Sequence, residues 1–312
     1  MKNRNIILLI GMNLLWAGSY SIFKVLSEQL DSGAIASLRF AMAGLLLLAA
    51  WPWLGGQGPR WRELPRIFLM GTLVFCVAPR LQVAAVHLGK AGDTSLLTAL
   101  DPLIVASAAA LFLGERVPTR RWWGCGLGML GVFLLSNIWR GDVPLHGLLP
   151  NALFIMSMMF EAAYSVCGKP LLHKIGAMKL LASGLAAGTL VNAILELFAP
   201  GQNAFRALPH LSAQSWIWLL YLSVICTIVG YTLWYVVIRE TEVNLAGLTV
   251  LTQPVAGWIL SVIWLKEPLH AGQLWGALAI VAGLIVGLRP RRETPIARST
   301  ESAEQQLADV EA

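Results

Sequence analysis

The sequence predicts an all-α integral membrane protein of ten transmembrane helices in two inverted five-helix repeats. Three observations predict this fold class. Apolar residues make up 57% of the 312-residue chain and charged residues 13%, about half of the roughly 25% usual for soluble domains. The apolar residues are gathered into segments long enough to cross a bilayer. The stretch 91–136 also resembles 243–288 in its order of apolar runs, prolines and glycines.

Ten segments have the roughly 20 predominantly apolar residues that a membrane crossing requires. In chain order they are residues 5–24, 32–51, 65–87, 93–113, 122–138, 147–167, 177–199, 214–237, 244–264 and 272–288. The first follows Lys2 and Arg4. Its apolar run is long and lacks a convincing cleavage site, so we interpret it as a retained helix.

The internal repeat depends on residue types that are scarce in apolar helices. The offset that places Pro102 on Pro254 also aligns Leu96 with Leu248, Leu113 with Leu265, Glu115 with Glu267, Trp123 with Trp275, Gly124 with Gly276 and Gly131 with Gly283. Each repeat has an odd number of spans, so the second enters the membrane from the opposite side. We predict repeats at 1–139 and 146–288, followed by a disordered cytoplasmic tail at 289–312 that rests on anionic lipid.

The cations indicate the orientation. Most lysines and arginines fall in loops on one side of the predicted membrane, which places both termini in the cytoplasm of a multi-pass protein of the cell (inner) membrane. This distribution accounts for the net charge of +6, so a nucleic-acid partner is not expected. The four cysteines lie apart within apolar runs and the histidines form no cluster. We therefore expect no metal site and no cofactor.

Four charged residues stand out by their depth within predicted spans: Arg39, Arg80, Asp101 and Glu161. A charge at bilayer depth costs about 2.5–3.5 kcal/mol on insertion scales, so each is expected to face protein or water. Arg80 and Asp101 lie equally far from the middle of one helical hairpin, which predicts that they form an ion pair. This pair either contacts substrate or only ties two helices together. Arg39 enters at a similar depth, with the same two alternatives.

Polar residues of the second repeat predict an inner layer. The offset places Thr232 opposite Arg80 and Gln253 opposite Asp101, and Glu161 lies near the same depth. Such layers suit a polar path through the membrane. Glu161 is also a candidate protonatable site, because burial favours the neutral form of a carboxyl group.

Prolines and aromatic residues add further candidates. Pro102 and Pro254 each remove a backbone donor, which frees the carbonyls of Thr98 and Val250. The freed carbonyls could bind substrate, the proline could form a kink that flexes, or the result could be a static bend. Pro79 gives the third span the same options. The deep aromatic residues line a pocket for planar solutes or fill the core: Trp16, Trp234, Trp258, Tyr20, Tyr164, Tyr231 and Tyr235.

Small residues and two turn carboxylates have local roles in this interpretation. The glycines of the fifth and tenth spans let helices approach closely, either as scaffold or as homodimer contacts: Gly124, Gly128, Gly131, Gly276, Gly283 and Gly287. Close approach of this kind is usual for small residues in membrane helices. Glu115 and Glu267 occupy matched turns. We expect them to bind backbone donors or neighbouring cations.

The repeated stretch resembles the EamA branch of the drug/metabolite transporter superfamily. The pattern of that family is an apolar helix with a mid-span proline, a Leu-Gly-Glu-Arg turn and a Gly-rich helix. Pro102 with residues 113–116 matches this pattern, and Pro254 with Leu-Lys-Glu-Pro at 265–268 matches it less closely. Further matches are Leu-Trp-Ala-Gly-Ser at 15–19, Leu-Arg-Phe at 38–40 and Gly-Tyr-Thr-Leu-Trp-Tyr at 230–235. The resemblance implies ten helices in two inverted repeats and export or exchange of small metabolites such as amino acids or purines.

These features predict a secondary transporter that works by alternating access. Arg39 and Arg80 would bind a carboxylate, and Asp101 or Glu161 an amine or a coupling proton. An amino acid, including an aromatic one, fits such a site. The alternatives are export of purines, organic anions or drugs. Two alternatives come from other classes of protein. One is a membrane-embedded enzyme that acts on lipid, for which the sequence has no nucleophile motif, and the other is a sensor that does not transport.

Overall fold

The computed structural model describes residues 3–88, 97–135, 148–198, 204–256, 259 and 271–289. All regular secondary structure in these ranges is helical. The α-helices are α1 (Asn3–Ala17), α2 (Ser19–Leu26), α3 (Ser32–Ala49), α4 (Leu64–Thr72), α5 (Ala78–Leu88), α6 (Asp101–Leu113), α7 (Thr119–Leu135), α8 (Leu148–Glu161), α9 (Ala163–Gly168), α10 (Ala177–Phe198), α11 (Ala204–Ala207), α12 (Ala213–Leu220), α13 (Gly230–Glu240), α14 (Val243–Gly247) and α15 (Ala271–Leu288).

Several of these helices are apolar enough for a bilayer. The helical runs long enough to cross one, among the described residues, are Ser32–Ala49, Trp61–Ala85, Ala177–Phe198 and Ala213–Glu240. Shorter apolar helices are Arg4–Ala17, Thr98–Leu113, Val243–Ala256 and Leu274–Leu288. Large apolar side chains cover their outer faces, as for Leu111 and Phe198, which are 79% and 81% exposed. Exposed apolar surface of this extent belongs in lipid, and the chain is an all-helical membrane protein.

Non-α turns interrupt corresponding places in the two halves of the chain. A π-helical segment at Leu73–Val77 precedes Pro79, and another at Tyr221–Val229 lies at the matching place in the second half. A 3-10 turn at Thr98–Leu100 precedes Pro102, and one at Leu248–Leu251 precedes Pro254. Interruptions of this kind bend a helix and are frequent at functional sites.

These 3-10 turns overturn one expectation. The carbonyl of Thr98 is not freed by Pro102, because it accepts the N–H of Asp101. The carbonyl of Val250 likewise accepts the N–H of Thr252. A tighter turn replaces the hydrogen bond that each proline removes. Each carbonyl therefore already accepts a hydrogen bond from the backbone and does not need one from a solute.

The first and sixth predicted spans are also broken. Helix α1 ends at Ala17 and α2 begins at Ser19, while α8 ends at Glu161 and α9 begins at Ala163. The breaks place Trp16 and Glu161 at helix ends in the interior of the protein. The interior helices pack in pairs: α3 with α10, α5 with α8, α1 with α13, α6 with α14 and α7 with α15.

Glycines allow the closest of these contacts, between α7 and α15. A Cβ added to Gly124 would lie 2.8 Å from the backbone oxygen of Gly283, and one added to Gly131 would lie 2.6 Å from that of Gly276. The glycine stripes are therefore used inside the chain as scaffold.

The largest core cluster lies between the two halves and includes a group of packed aromatic rings. The ring of Phe75 packs against Phe40 at 5.3 Å and against Tyr231 at 5.3 Å, and Tyr164 stacks on Tyr235 at 3.9 Å between ring centroids. All five side chains are buried. This cluster supports one wall of an internal cavity.

Candidate functional site

A cavity of about 100 Å³ lies among the broken helices at the centre of the molecule. Most of the candidate residues that the structure describes line it: Trp16, Arg39, Pro79, Asp101, Glu161, Tyr164, Tyr231, Trp234 and Gln253. Sequence reasoning missed several polar neighbours, namely Ser19, Gln82 and Ser165, and it singled out Thr98 for its carbonyl alone. These small or amide side chains carry no charge, so nothing distinguished them from ordinary polar residues of a helix.

Arg39 is the cation of this cavity. Its side chain is only 7% exposed. The Nε atom donates a hydrogen bond to Thr227 Oγ1 at 2.9 Å. The guanidinium lies 4.9 Å from the ring centroid of Phe40 and 5.6 Å from that of Phe23. Contact with aromatic faces offsets part of the cost of burying a cation.

The guanidinium nevertheless has no ion-pair partner among the described residues within 4.0 Å. It does interact electrostatically with the Glu161 carboxyl group of the same cavity.

Two carboxyl groups face the same space. The hydroxyl of Tyr231 donates to Glu161 Oε1 at 2.8 Å. Asp101 and Glu161 interact electrostatically as like charges, and Arg39 attracts Glu161. Asp101 forms no salt bridge with any residue in the described part of the chain. The cavity thus combines one cation with two carboxyl groups.

Aromatic side chains form a second wall. The ring of Trp16 lies 5.4 Å from Tyr231 and 6.5 Å from Trp234, and Tyr164 lies 4.8 Å from Tyr231. Trp16 Nε1 donates to the Cys226 carbonyl at 2.7 Å, which fixes the indole.

The other rings of this wall are held by hydrogen bonds as well. Trp234 Nε1 donates to Ser165 Oγ at 2.9 Å, and the Tyr164 hydroxyl donates to the Tyr231 carbonyl at 3.0 Å. Rings whose polar atoms are satisfied by the protein present their faces to the cavity.

Gly230 makes room for Trp16. A Cβ on Gly230 would lie 2.5 Å from Trp16 Nε1, so a larger residue at this position would displace the indole. Gly230 therefore leaves space for the Trp16 indole, and the next residue, Tyr231, lines the same cavity.

Gln253 connects the cavity to a buried polar chain. Its Nε2 donates to Asn13 Oδ1 at 2.8 Å, and Asn13 Nδ2 donates to Thr249 Oγ1 at 3.1 Å. Thr232, which the sequence placed in the same inner layer, does not line the cavity. Its hydroxyl is buried without a hydrogen-bond partner among the described residues.

The predicted ion pair between Arg80 and Asp101 is wrong. Arg80 Nη2 pairs with Glu196 Oε1 at 2.7 Å and also donates to Ser37 Oγ at 3.0 Å, and its Nε donates to Asn192 Oδ1 at 2.9 Å. Adjacent helical residues point about 100° apart, so Pro79 faces the cavity while Arg80 faces α3 and α10. Arg80 lies outside the cavity lining.

The remaining candidates lie elsewhere. Pro102 and Pro254 do not contribute to the cavity lining. The side chain of Tyr20 and all of Trp258 lie outside the described residues. Within the described ranges no group of three or more histidine, cysteine or acidic side chains has the arrangement of a metal site.

Buried charges of both signs and aromatic side chains around one cavity, inside a helical membrane protein, are features of a membrane transporter. The model of the EamA-like transporter family matches residues 3–137 and again residues 148–289, and the chain belongs to this family. The resemblance that the sequence motifs indicate is thereby confirmed. The family consists of transporters, so the alternative of a lipid enzyme is wrong.

Individual relatives agree with this assignment. The chain is 28% identical over 282 residues to an "Uncharacterized transporter" of Archaeoglobus fulgidus, a match that covers 88% of this chain and 95% of the relative. It is 26% identical to a "Probable terminal-alkyne amino-acid exporter" of Streptantibioticus cattleyicolor, with coverages of 88% and 90%. It is also 26% identical to the "Uncharacterized inner membrane transporter YedA" of Escherichia coli, with coverages of 89% and 88%.

The fold also matches a solved crystal structure. The two chains superpose with a TM-score of 0.73 at 18% identity, and the match covers 94% of this chain and 100% of the other. This similarity concerns the fold alone.

Proposed function

We propose that this chain exports or exchanges amino acids, with preference for aromatic ones, across the inner membrane by alternating access. The observation that carries the proposal is that one cavity offers Arg39, two carboxyl groups and aromatic faces. A zwitterion needs a cation for its carboxylate and an anion for its ammonium group. We propose these cavity residues as the ligands of the substrate.

The geometry supports a division of these roles. The carboxylate of the amino acid binds the Nη atoms of Arg39, whose Nε donates to Thr227. The ammonium group binds Asp101 or Glu161. Trp16 and Trp234 are held so that an aromatic side chain can stack on them.

A further observation favours an amino-acid substrate. One relative bears the name of an amino-acid exporter.

Alternating access requires a matching topology, and we include it in the proposal. Ten spans form inverted repeats at 1–139 and 146–288, with both termini and the tail at 289–312 in the cytoplasm. In support, the family model matches the chain twice. The π-helical and 3-10 interruptions recur at corresponding places, and the helix pairs α3–α10, α6–α14 and α7–α15 join equivalent spans of the two halves. Inverted repeats commonly place a substrate site at their interface.

We also propose protons as the coupling ion. Two carboxyl groups in one buried cavity repel each other when both are ionised, so a proton held by one of them lowers the energy of the pair. Arrival of an ammonium group lets both groups ionise, and the proton is released. Substrate and proton then occupy the carboxyl groups alternately.

Counterflow in proteoliposomes tests the proposal. Vesicles are preloaded with unlabelled phenylalanine, tryptophan, alanine, adenine or a dicarboxylate, and uptake of a labelled solute of the same class is followed with and without a pH gradient. Acceleration by aromatic amino acids supports the proposal. Acceleration by adenine alone assigns the aromatic wall to purines, and acceleration by the dicarboxylate alone assigns Arg39 to organic anions.

Variants connect the transport activity to the cavity. Glu161→Gln removes a cavity carboxylate, and Glu28→Gln, at an exposed position, is its matched control. We expect Glu161→Gln to abolish the effect of the pH gradient and Glu28→Gln to leave it unchanged. Solute binding without exchange, in protein that is folded and oriented, would instead assign the chain to the sensor class.

A further inference from the structure

We infer that Glu115 latches a cytoplasmic gate, which holds the two halves of the chain together below the cavity when the cavity is closed to the cytoplasm. The inference rests on the proposed alternating-access function and topology. The gate is defined as Glu115 and Arg121 of the first half with Lys169, Glu242 and Asn244 of the second.

Glu115 binds two separate parts of the second half. Its Oε1 accepts from Lys169 Nζ at 2.7 Å and from the Val243 backbone N–H at 2.9 Å. Its Oε2 accepts from the backbone N–H of Asn244 at 3.1 Å and from Asn244 Nδ2 at 2.5 Å. Lys169 Nζ also donates to the Thr241 carbonyl at 2.8 Å. One carboxylate therefore joins the end of α6 to the end of α9 and to the start of α14.

Arg121 makes the second contact of the gate. It pairs with Glu242 Oε2 at 2.5 Å and donates to Asn244 Oδ1. Asn244 thus binds Glu115 with its amide nitrogen and Arg121 with its amide oxygen. Both contacts cross between the halves and converge on the residues at the start of α14.

The gate lies between the cavity and a vestibule. On one side Tyr164, which lines the cavity, stacks on Tyr235, and the Tyr235 ring packs against Gly168, next to Lys169 of the gate. On the other side a hollow of about 760 Å³ is lined by Glu115, Arg116, Arg121 and Glu242. Water in this hollow can replace the hydrogen bonds of the gate when it opens, so breaking these polar contacts costs far less than separating packed apolar helices.

The α7–α15 contact has the opposite character. Its glycines bring backbone against backbone, and a Cβ on Gly124 would lie 2.8 Å from the backbone oxygen of Gly283. We assign that contact to the part of the interface that stays closed during transport. The gate around Glu115 is the part that opens.

Access to a single cysteine tests the gate without knowledge of the substrate. In a background that lacks Cys76, Cys125, Cys167 and Cys226, the cavity residue Ala162 is changed to cysteine. A small, charged, membrane-impermeant methanethiosulfonate reagent is applied to oriented vesicles from the cytoplasmic or from the outer side, and the labelling rate is measured on each side.

The gate predicts that the labelling rate changes in opposite directions on the two sides of the membrane. Glu115→Gln should raise cytoplasmic labelling by about tenfold, the population shift expected from loss of a charge-assisted hydrogen bond, and should lower labelling from outside. Lys169→Gln should act in the same direction. The double variant should change less than the sum of the two, because both remove one contact.

Glu63→Gln is the matched control. Glu63 precedes α4 on the same predicted side of the membrane and accepts a hydrogen bond from the backbone N–H of Arg60, within its own turn. It should leave both labelling rates unchanged. If Glu115→Gln does not fold, Lys169→Gln carries the test.

Two results overturn the inference. Unchanged labelling shows that Glu115 does not control access, and faster labelling from both sides shows that it only holds the fold together. A reciprocal shift alongside failed counterflow for every amino acid would leave the gate standing and reject the proposed substrate. Normal amino-acid counterflow with no shift would reject the gate alone.

Discussion

The hydroxyl of Tyr231 donates to the carboxylate of Glu161 at 2.8 Å, across the cavity from α13 to the break between α8 and α9. The tyrosine ring also packs on Trp16 and Phe75. One side chain therefore holds both the carboxyl group and the aromatic wall. Separating these two roles is the most direct way to examine the site.

Tyr231→Phe separates them because it removes the hydroxyl and keeps the ring. We expect exchange of aromatic amino acids to fall about tenfold, since a buried carboxyl group loses a hydrogen bond worth about 1.5–3 kcal/mol. Initial rates of counterflow measure the effect, with Tyr221→Phe as the control, because the Tyr221 hydroxyl binds the Leu15 carbonyl outside the cavity. Equal rates for Tyr231→Phe and wild type would remove the hydroxyl from the mechanism.

Arg39 allows a test of charge against geometry. Arg39→Gln removes the cation, and Arg39→Lys keeps the charge but loses the Nε donor to Thr227 and the flat contact with Phe40. We expect Arg39→Gln to raise KM for an amino acid at least about tenfold and Arg39→Lys to have an intermediate effect. Arg62→Gln, in the loop before α4, is the control. A KM unchanged in Arg39→Gln would show that the carboxylate binds elsewhere.

Much of this arrangement follows from the sequence, for identifiable reasons. Run length and polarity locate membrane helices because the bilayer fixes both. Tyr231, Trp234 and Tyr235 are three and four residues apart, and this spacing alone places them on one helical face. Arg39, Asp101 and Glu161 stand out because charges inside apolar runs are rare.

The partner of Arg80 could not be obtained in the same way. Depth along a hairpin gives the layer of a residue, but the rotation of the helix decides which neighbour it faces. Glu196 was overlooked because it lies near the end of its predicted span. Asn192 precedes it by one helical turn, and both bind Arg80. This i, i+4 pair of polar residues on one face is the signal that could have revealed it.

The Arg80–Glu196 pair predicts a stability effect rather than a transport effect. Glu196 is 2% exposed at its side chain and also accepts from Ser37 and from the backbone N–H of Ala204. Glu196→Gln leaves a partly buried cation without its partner, so we expect a loss of about 3 kcal/mol in the free energy of unfolding and a Tm lower by about 5–10 °C. Asp101→Asn should leave Tm nearly unchanged. A large loss in Asp101→Asn would revive the pairing of Asp101 with a cation.

The α7–α15 contact provides a second stability test with an internal control. Gly124→Ala places a Cβ 2.8 Å from the Gly283 carbonyl oxygen, which forces the helices apart and should cost about 1–3 kcal/mol. Gly126, two residues away, has no atom within 4 Å of an added Cβ. Gly126→Ala should be neutral or stabilise by up to about 1 kcal/mol, because alanine favours a helix more than glycine does. Thermal unfolding in detergent distinguishes the two, and equal effects would contradict the close contact.

The contribution of Glu115 to stability should depend on pH in a definite direction. Burial alone would raise the pKa of Glu115, but the hydrogen bonds from Lys169, Val243 and Asn244, with the charge of Lys169, outweigh it and lower the pKa below its ordinary value of 4.5. A carboxyl group whose pKa is lower in the folded state stabilises the protein above its unfolded pKa, and this contribution is lost as the pH falls through the folded pKa. The difference in Tm between wild type and Glu115→Gln should therefore be constant from pH 6 to 8 and shrink in acid below about pH 4.5. A difference that changed between pH 6 and 8 would mean that Glu115 titrates there, and the interhelical contacts described for it could not be those of an ionised carboxylate.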